Sequence, residues 1–221
     1  MLPEIDQTTC DRELVTLSST KSPLTRGWVR SSRIPGAGTC LLLVLAAIAA
    51  TLVSIASAPG ALGLLGAGLA LVMLTIAVID ARSFVIPNWL NGAGLALALV
   101  HAAIQQQEQG PDLVVWAGAV AVLRGSVLAM IFLVVRNVYA YIRGRQGLGL
   151  GDVKLAAVAG AWLGWSMIPI AVEIAALAAL SVYVLRQLVF GQPMRATNRV
   201  PFGLFFAPAV WVCWLLEAAL L

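Results

Sequence analysis

From residue 40 onward the chain is built of long apolar runs separated by short gaps that carry charge, glycine or proline. An α-helix needs about 20 apolar residues to cross the hydrocarbon core of a bilayer. That template predicts seven spans, at 40–57, 61–79, 88–104, 113–135, 153–167, 169–189 and 203–221, with edges good to a few residues. Pro59-Gly60, Gly110-Pro111 and Pro169 mark the turns between paired spans, because glycine and proline punctuate regular structure. The fifth span is short, which implies a tilted or partly embedded helix. The expected fold class is all-α: a polytopic membrane helix bundle of about seven transmembrane helices.

Composition supports the membrane reading. Of 221 residues, 61% are hydrophobic and 11% are charged, against about 25% charged in an ordinary soluble domain. A soluble globule cannot hide that much apolar surface, and disorder requires the opposite composition. Residues 1–38 differ from the rest. They are rich in Ser, Thr and charge, including Arg12, Lys21, Arg26, Arg30 and Arg33. They read as a mobile tail with one short helix near 11–17, leaving 39–221 as the membrane-embedded domain. Ala56-Ser57-Ala58 has the small residues of a signal-peptidase site. The basic lead before that first span is too long for an ordinary signal peptide, so an uncleaved span is expected.

Loop charge then sets the orientation. With the tail in the cytoplasm, the inner connections hold Arg82, then Arg136, Arg143 and Arg145, then Arg186, Arg195 and Arg199. The outer connections hold no Lys or Arg, only Glu108 and Asp112. This is a positive-inside pattern with the N-terminus cytoplasmic. Tyr139 and Tyr141 fall at an inner edge and Trp162 and Trp165 near an outer one, the expected places for interfacial aromatics. The net charge of +4 is spread through these gaps, so no nucleic acid partner is expected. Arg124 falls inside the fourth span, where a charge costs about 2.5–3.5 kcal/mol on insertion scales. Either it faces the bundle interior, or the true span starts near Gly125 and 112–124 lie on the outer surface.

Cys10, Cys40 and Cys213 are far apart and form no CxxC, so no metal site and no disulfide framework is expected. His101 is the single histidine and lies near the outer end of its span, which disfavours serine-triad and histidine–metal chemistry. No cofactor is implied. Glu173 and Glu217 also fall toward the outer side and read as solvated or snorkelling. Gly160 and Gly164 form a GxxxG, which usually marks close helix packing.

Ionisable groups at span edges are functional candidates. Asp80 closes the second span and Asp152 opens the fifth, so the topology places both at one depth. Two close carboxylates share a proton and titrate as a pair. The ionised member can then activate water while the protonated one donates to a carbonyl oxygen. Each aspartate also has a plainer reading: Asp152 as a helix cap, Asp80 as a solvated residue beside Arg82. Gly147, Gly149 and Gly151 precede Asp152, and their freedom of φ and close backbone approach would suit an extended substrate there. Lys154, two positions on, points away from Asp152 on a helix and reads as an interfacial anchor. Ile86-Pro87-Asn88 and Arg199-Val200-Pro201-Phe202-Gly203 both read as helix entries with proline near the first turn.

Three of these segments, in order, resemble the prepilin peptidases, membrane aspartic peptidases with a GxGD motif. They are Ile79-Asp80 with Ile86-Pro87-Asn88, then Gly149-Leu150-Gly151-Asp152-Val153-Lys154-Leu155 continuing through Gly160-Ala161-Trp162-Leu163-Gly164-Trp165, then Pro201-Phe202-Gly203. The resemblance covers roughly 62–221 and not the tail. It implies a bacterial inner-membrane endopeptidase that removes the basic leader of type IV prepilins or pseudopilins after a glycine, at the cytoplasmic edge. Asp80 and Asp152 would be the catalytic pair. Gly149, Gly151, Lys154, Pro201, Phe202 and Gly203 would bind substrate or shape the site. Larger members carry an N-terminal methyltransferase region with paired cysteines, which this chain does not match, so a peptidase-only form is expected. Two other classes remain open on the residues alone: a transporter or channel using the aspartates for cations or protons, and a non-enzymatic scaffold of a pilus or secretion machine. The oligomeric state is open as well.

Overall fold

The computed structural model describes residues 37–144, 147–190 and 201–220. The expected tail, and the inner-loop arginines Arg145, Arg195 and Arg199, lie outside the described residues. Seven α-helices are found among those described: α1 (Ala37–Ser57), α2 (Gly60–Ser83), α3 (Asn88–Gln105), α4 (Pro111–Arg143), α5 (Leu150–Trp162), α6 (Met167–Phe190) and α7 (Phe202–Leu220), with one 3₁₀ turn at Gln107–Gln109. They fall where the seven apolar runs predict them. Five of them, α1, α2, α4, α6 and α7, are long and apolar enough to cross a membrane. The protein is a polytopic, helical membrane protein. The 13 residues of α5 reach only about 20 Å at 1.5 Å per residue, short of a bilayer core of about 30 Å.

Helix α5 occupies the middle of the bundle. It packs on α3, α4 and α7, while α2 packs on α3 and α7, and α6 on α7. Its central position explains why α5 is apolar nearly all round: eight of its residues are buried, among them Leu155, Ala156, Val158 and Ala159. The same core includes Leu69, Met73 and Ile76 of α2 and Phe206 and Val210 of α7, all essentially inaccessible. The outer faces of α1, α4 and α6 display large apolar side chains such as Leu42, Met130 and Leu188, the composition a lipid-facing surface requires.

Small residues let the central helices approach. A Cβ on Gly160 would meet the Arg124 carbonyl oxygen at 2.6 Å, and one on Gly125 would meet the Ala157 carbonyl oxygen at 2.6 Å. This reciprocal pair sets the α4–α5 contact. Gly164 takes no part in it, because α5 ends at Trp162. A Cβ on Gly164 would instead meet Glu217 Oε1 at 2.5 Å. The GxxxG is therefore not one helical stripe.

Three other expectations are revised, and one alternative is decided. Pro169 lies inside the first turn of α6, and the turn itself falls at 163–166, since proline is tolerated where the N–H has no intrahelical partner. Trp162 is a core residue, 3% exposed, whose Nε1 donates to the Gly94 carbonyl at 3.0 Å; Trp165 remains exposed. Glu217 is half-buried rather than simply solvated: its carboxylate accepts the Gly164 amide at 3.1 and 3.2 Å. The fourth span is continuous through Arg124, which is half-buried and donates from Nη2 toward the Ala161 carbonyl at 3.5 Å, so the interior placement is the one realised.

Candidate active site

At one end of the bundle the C-terminal turn of α2 meets the N-terminal turns of α3, α5 and α7. Asp80 lies one turn before the end of α2 and is 5% exposed. The helix stops beyond it at Phe84, whose backbone is left-handed at φ 55° and whose N–H bonds the Asp80 carbonyl at 2.9 Å. A bulky residue at positive φ is strained. Here it turns the chain so that Ile86, itself 6% exposed, is delivered beneath the aspartates.

Asp152 is third in α5 and is 9% exposed. Its Oδ2 accepts the Gly149 N–H at 3.2 Å. Glycine has no side chain to return the bond, so this is the reciprocal half of a capping box. The plain capping reading of Asp152 is thus part of its environment. Yet one such bond leaves the other carboxylate oxygen free of it. Burial pushes the Asp152 carboxyl up to about 6, helped by the negative charge of Asp80 and opposed by the Gly149 and Gly203 amides.

The third contributor is the start of α7. The Leu204 N–H donates to Asp80 Oδ2 at 3.0 Å, and the Gly203 backbone N–H acts on both carboxylates. Amides in the first turn of a helix have no intrahelical acceptor and carry the positive end of its dipole. Placed against two carboxylates, they favour the ionised form of each. Glycine is required at 203 by space: a Cβ there would stand 2.9 Å from Asp80 Oδ2 and 3.0 Å from Ile86 Cδ1. Phe202 stacks on Phe206 at 5.3 Å between ring centroids, and both face Phe132 of α4, fixing the entry of α7.

The glycines before Asp152 serve this packing. Gly149 is extended, at φ −77°, and the positive-φ glycines of the described chain are Gly60, Gly110 and Gly144. Their neighbours belong to the chain itself: Tyr139 Cε1 at 2.6 Å from a Cβ on Gly147, Asp152 Oδ2 at 3.3 Å from one on Gly149, Ile86 Cβ at 3.2 Å from one on Gly151. Lys154 is exposed and makes a specific contact beyond that of an interfacial anchor. Its Nζ donates to Asn88 Oδ1 at 2.6 Å, joining α5 to the first residue of α3. Pro201 is half-buried just ahead of α7. The expected site residues therefore converge from three distant segments.

One contact of the site and one buried polar residue of α3 were not legible beforehand. The Leu204 amide is backbone and has no side-chain signature. Asn91 is 6% exposed, and both its amide atoms are buried without a partner. A polar residue one turn inside an apolar helix was its only signal. His101, by contrast, lies far up α3. It is 5% exposed, accepts from Trp214 Nε1 at 3.3 Å and packs in a tilted ring contact on Trp162 at 4.7 Å.

A family profile described as the type IV leader peptidase family matches residues 67–184, which include both aspartates. The chain is 32% identical over 185 residues to a prepilin leader peptidase/N-methyltransferase of Burkholderia pseudomallei, covering 82% of this chain and 56% of that protein. It is 26% identical to the protein of the same name from Aeromonas hydrophila, covering 86% and 62%. Against the leader peptidase HopD of Salmonella typhimurium it is 33% identical over 139 residues, covering 63% of this chain and 84% of that one. The chain thus spans just over half the length of the Burkholderia relative and most of HopD. No solved structure matches it. With a profile covering more than half its length, and a relative matched over most of that relative's chain, the protein belongs to the type IV leader peptidase family.

Proposed function

We propose that this protein is an aspartic endopeptidase that removes the leader of type IV prepilins or pseudopilins at the cytoplasmic edge of the bacterial inner membrane, with Asp80 and Asp152 as the catalytic pair. The observation that carries the reading is the shared environment of the two carboxylates. Both are buried, each is held by a helix-terminal amide, and the Gly203 amide acts on both. Such a pair holds one proton between two acids. The ionised carboxylate takes a proton from water as the water attacks the scissile carbonyl, and the protonated one donates to the carbonyl oxygen. Proton transfer to the leaving amine then completes the cut. Asn88, Lys154 and the 201–204 segment frame the site rather than exchange protons.

The arginines Arg82, Arg136 and Arg143 support a cytoplasmic placement of this end. The substrate class is supported by the prepilin leader peptidase relatives. A peptidase without N-methylation is consistent with a chain whose cysteines, Cys10, Cys40 and Cys213, include no CxxC.

The test is cleavage of a prepilin carrying its basic leader and glycine junction by detergent-purified protein, with mass spectrometry of the product. Wild type cuts after the glycine and adds no methyl group. Asp80→Asn and Asp152→Asn each abolish cleavage while remaining folded and membrane-inserted. Full proteolysis by either variant, with wild type active, would remove the two-aspartate mechanism.

A further inference from the structure

The loop between α2 and α3 presents three apolar side chains and buries one. Phe84 and Val85 are exposed, while Ile86 is 6% exposed. Two devices aim Ile86 inward. Phe84 takes a left-handed φ of 55°, a conformation that a bulky residue holds only where its surroundings impose it, and such strain gathers at functional sites. Pro87 then caps α3, and the residue before a proline is held to an extended backbone.

Ile86 reaches the space beside the two carboxylates. That space is lined by Gly203, whose amide acts on both acids, and by Gly151, which precedes Asp152. One carbon added to either glycine runs into Ile86. A Cβ on Gly203 would stand 3.0 Å from Ile86 Cδ1 and 2.9 Å from Asp80 Oδ2. A Cβ on Gly151 would stand 3.2 Å from Ile86 Cβ and 3.4 Å from its Cδ1. Ile86 Cδ1 and Asp80 Oδ2 thus flank a single carbon position, and one side chain closes off both glycines. On this side of the pair, room for one further carbon does not exist.

A peptide cut here must bring its carbonyl to about 3–3.5 Å from the reacting groups. The α-carbon before that carbonyl lies about 1.5 Å farther on, so a side chain on it would start in the space that Ile86 fills. The loop carrying Ile86 lies beyond the end of α2, on the side from which the leader arrives, whereas the retained apolar segment departs toward the bilayer. Ile86 therefore faces the residue before the cut rather than the one after it.

We propose that Ile86 is a specificity-determining residue, whose side chain sets the size limit for the substrate residue whose carbonyl is attacked, admitting glycine and rejecting residues that carry a Cβ. The inference rests on the peptidase reading and adds to it the wall that reads the junction. Rejection by a clash requires no contact that favours glycine.

The test uses full-length protein in detergent and two prepilins, with glycine or alanine before the cut, and reads kcat/KM for each by mass spectrometry of the products. Wild type is expected to prefer glycine by about 100-fold, the scale on which one carbon is discriminated. Ile86→Ala lowers that preference by about tenfold or more, since it opens room for a methyl group. Ile86→Val, which removes only Cδ1, lowers it less. The readout is a ratio between two substrates, so a smaller fraction of folded protein does not move it. Val85→Ala, at the exposed neighbour, keeps the wild-type ratio. Equal cleavage of both prepilins by wild type would overturn the size limit. So would an unchanged ratio in Ile86→Ala and Ile86→Val, or loss of all cleavage in both, which would make Ile86 a structural requirement alone. Wild type that cuts neither prepilin would remove the peptidase reading and this inference with it.

Discussion

The backbone N–H of Leu204 donates to Asp80 Oδ2 at 3.0 Å, across 124 residues of sequence. That single bond locks the end of α2 to the start of α7, and it forms only because position 203 has no side chain. A Cβ on Gly203 would sit 2.9 Å from Asp80 Oδ2, closer than real Cβ contacts allow, with Ile86 Cδ1 at 3.0 Å on the same side. Gly203→Ala must therefore displace the Asp80 carboxylate or the start of α7. A displacement near 1 Å at a reacting group costs about 100-fold in rate. The expected outcome is a loss of that order in kcat with little change in expression. Gly92→Ala is the control, since nothing lies within 4 Å of its Cβ position. Equal activity in Gly203→Ala and wild type would mean that the shared amide has no part in the chemistry.

Asp152 couples the site to stability. Its carboxyl is pushed up by burial to about 6, above its value in an unfolded chain. The folded state then keeps a proton that the unfolded state releases, so stability is greatest below the unfolded value near 4 and falls as pH rises to about 6. Asp152→Asn cannot ionise and escapes this loss. In detergent melts, the variant should match wild type in Tm at about pH 4 and exceed it at about pH 7.5. A difference in Tm that stays constant between those two values would contradict a raised Asp152.

Much of this architecture is written in local patterns. The seven apolar runs mark seven helices because lipid rewards the same side chains along a whole helix, whichever neighbour they meet. Asp80, Asp152 and the Pro201-Phe202-Gly203 entry are legible as span-edge residues at one depth. What escapes a one-dimensional reading depends on which partner arrives. Trp162 looks interfacial by position, yet the Gly94 carbonyl across the α3–α5 contact draws it into the core. Glu217 looks solvated near a helix end, yet the turn at Gly164 delivers an amide to it. The glycines before Asp152 announce close approach but not by what, and the answer is Tyr139, Ile86 and the Asp152 carboxylate.

Lys154 and Asn88 form a clamp beside the site, with Nζ to Oδ1 at 2.6 Å. Because Lys154 is exposed, the bond is screened and its contribution to stability is below about 1 kcal/mol. Its effect lies in holding the α3 start against α5. Lys154→Met and Asn88→Ala should each raise KM more than they lower kcat, and the double variant should be no worse than the poorer single. Additive losses in that double-mutant cycle would indicate two independent roles.

Asn91 offers the sharpest separation of stability from function. It is 6% exposed, one turn into α3, and neither its amide nitrogen nor its oxygen has a partner. An unsatisfied buried polar group costs about 1–3 kcal/mol, and replacing it by an apolar group of similar shape removes that cost. Asn91→Leu should therefore raise the Tm of the purified protein. Natural cores tolerate such a group where it serves a site, and α3 begins at the Asn88 clamp. The same variant is accordingly expected to lose peptidase activity while gaining stability, a trade that thermal melts and the prepilin cleavage assay read separately. If Asn91→Leu melts lower than wild type, the asparagine is satisfied in solution and its burial carries no cost to be explained by function.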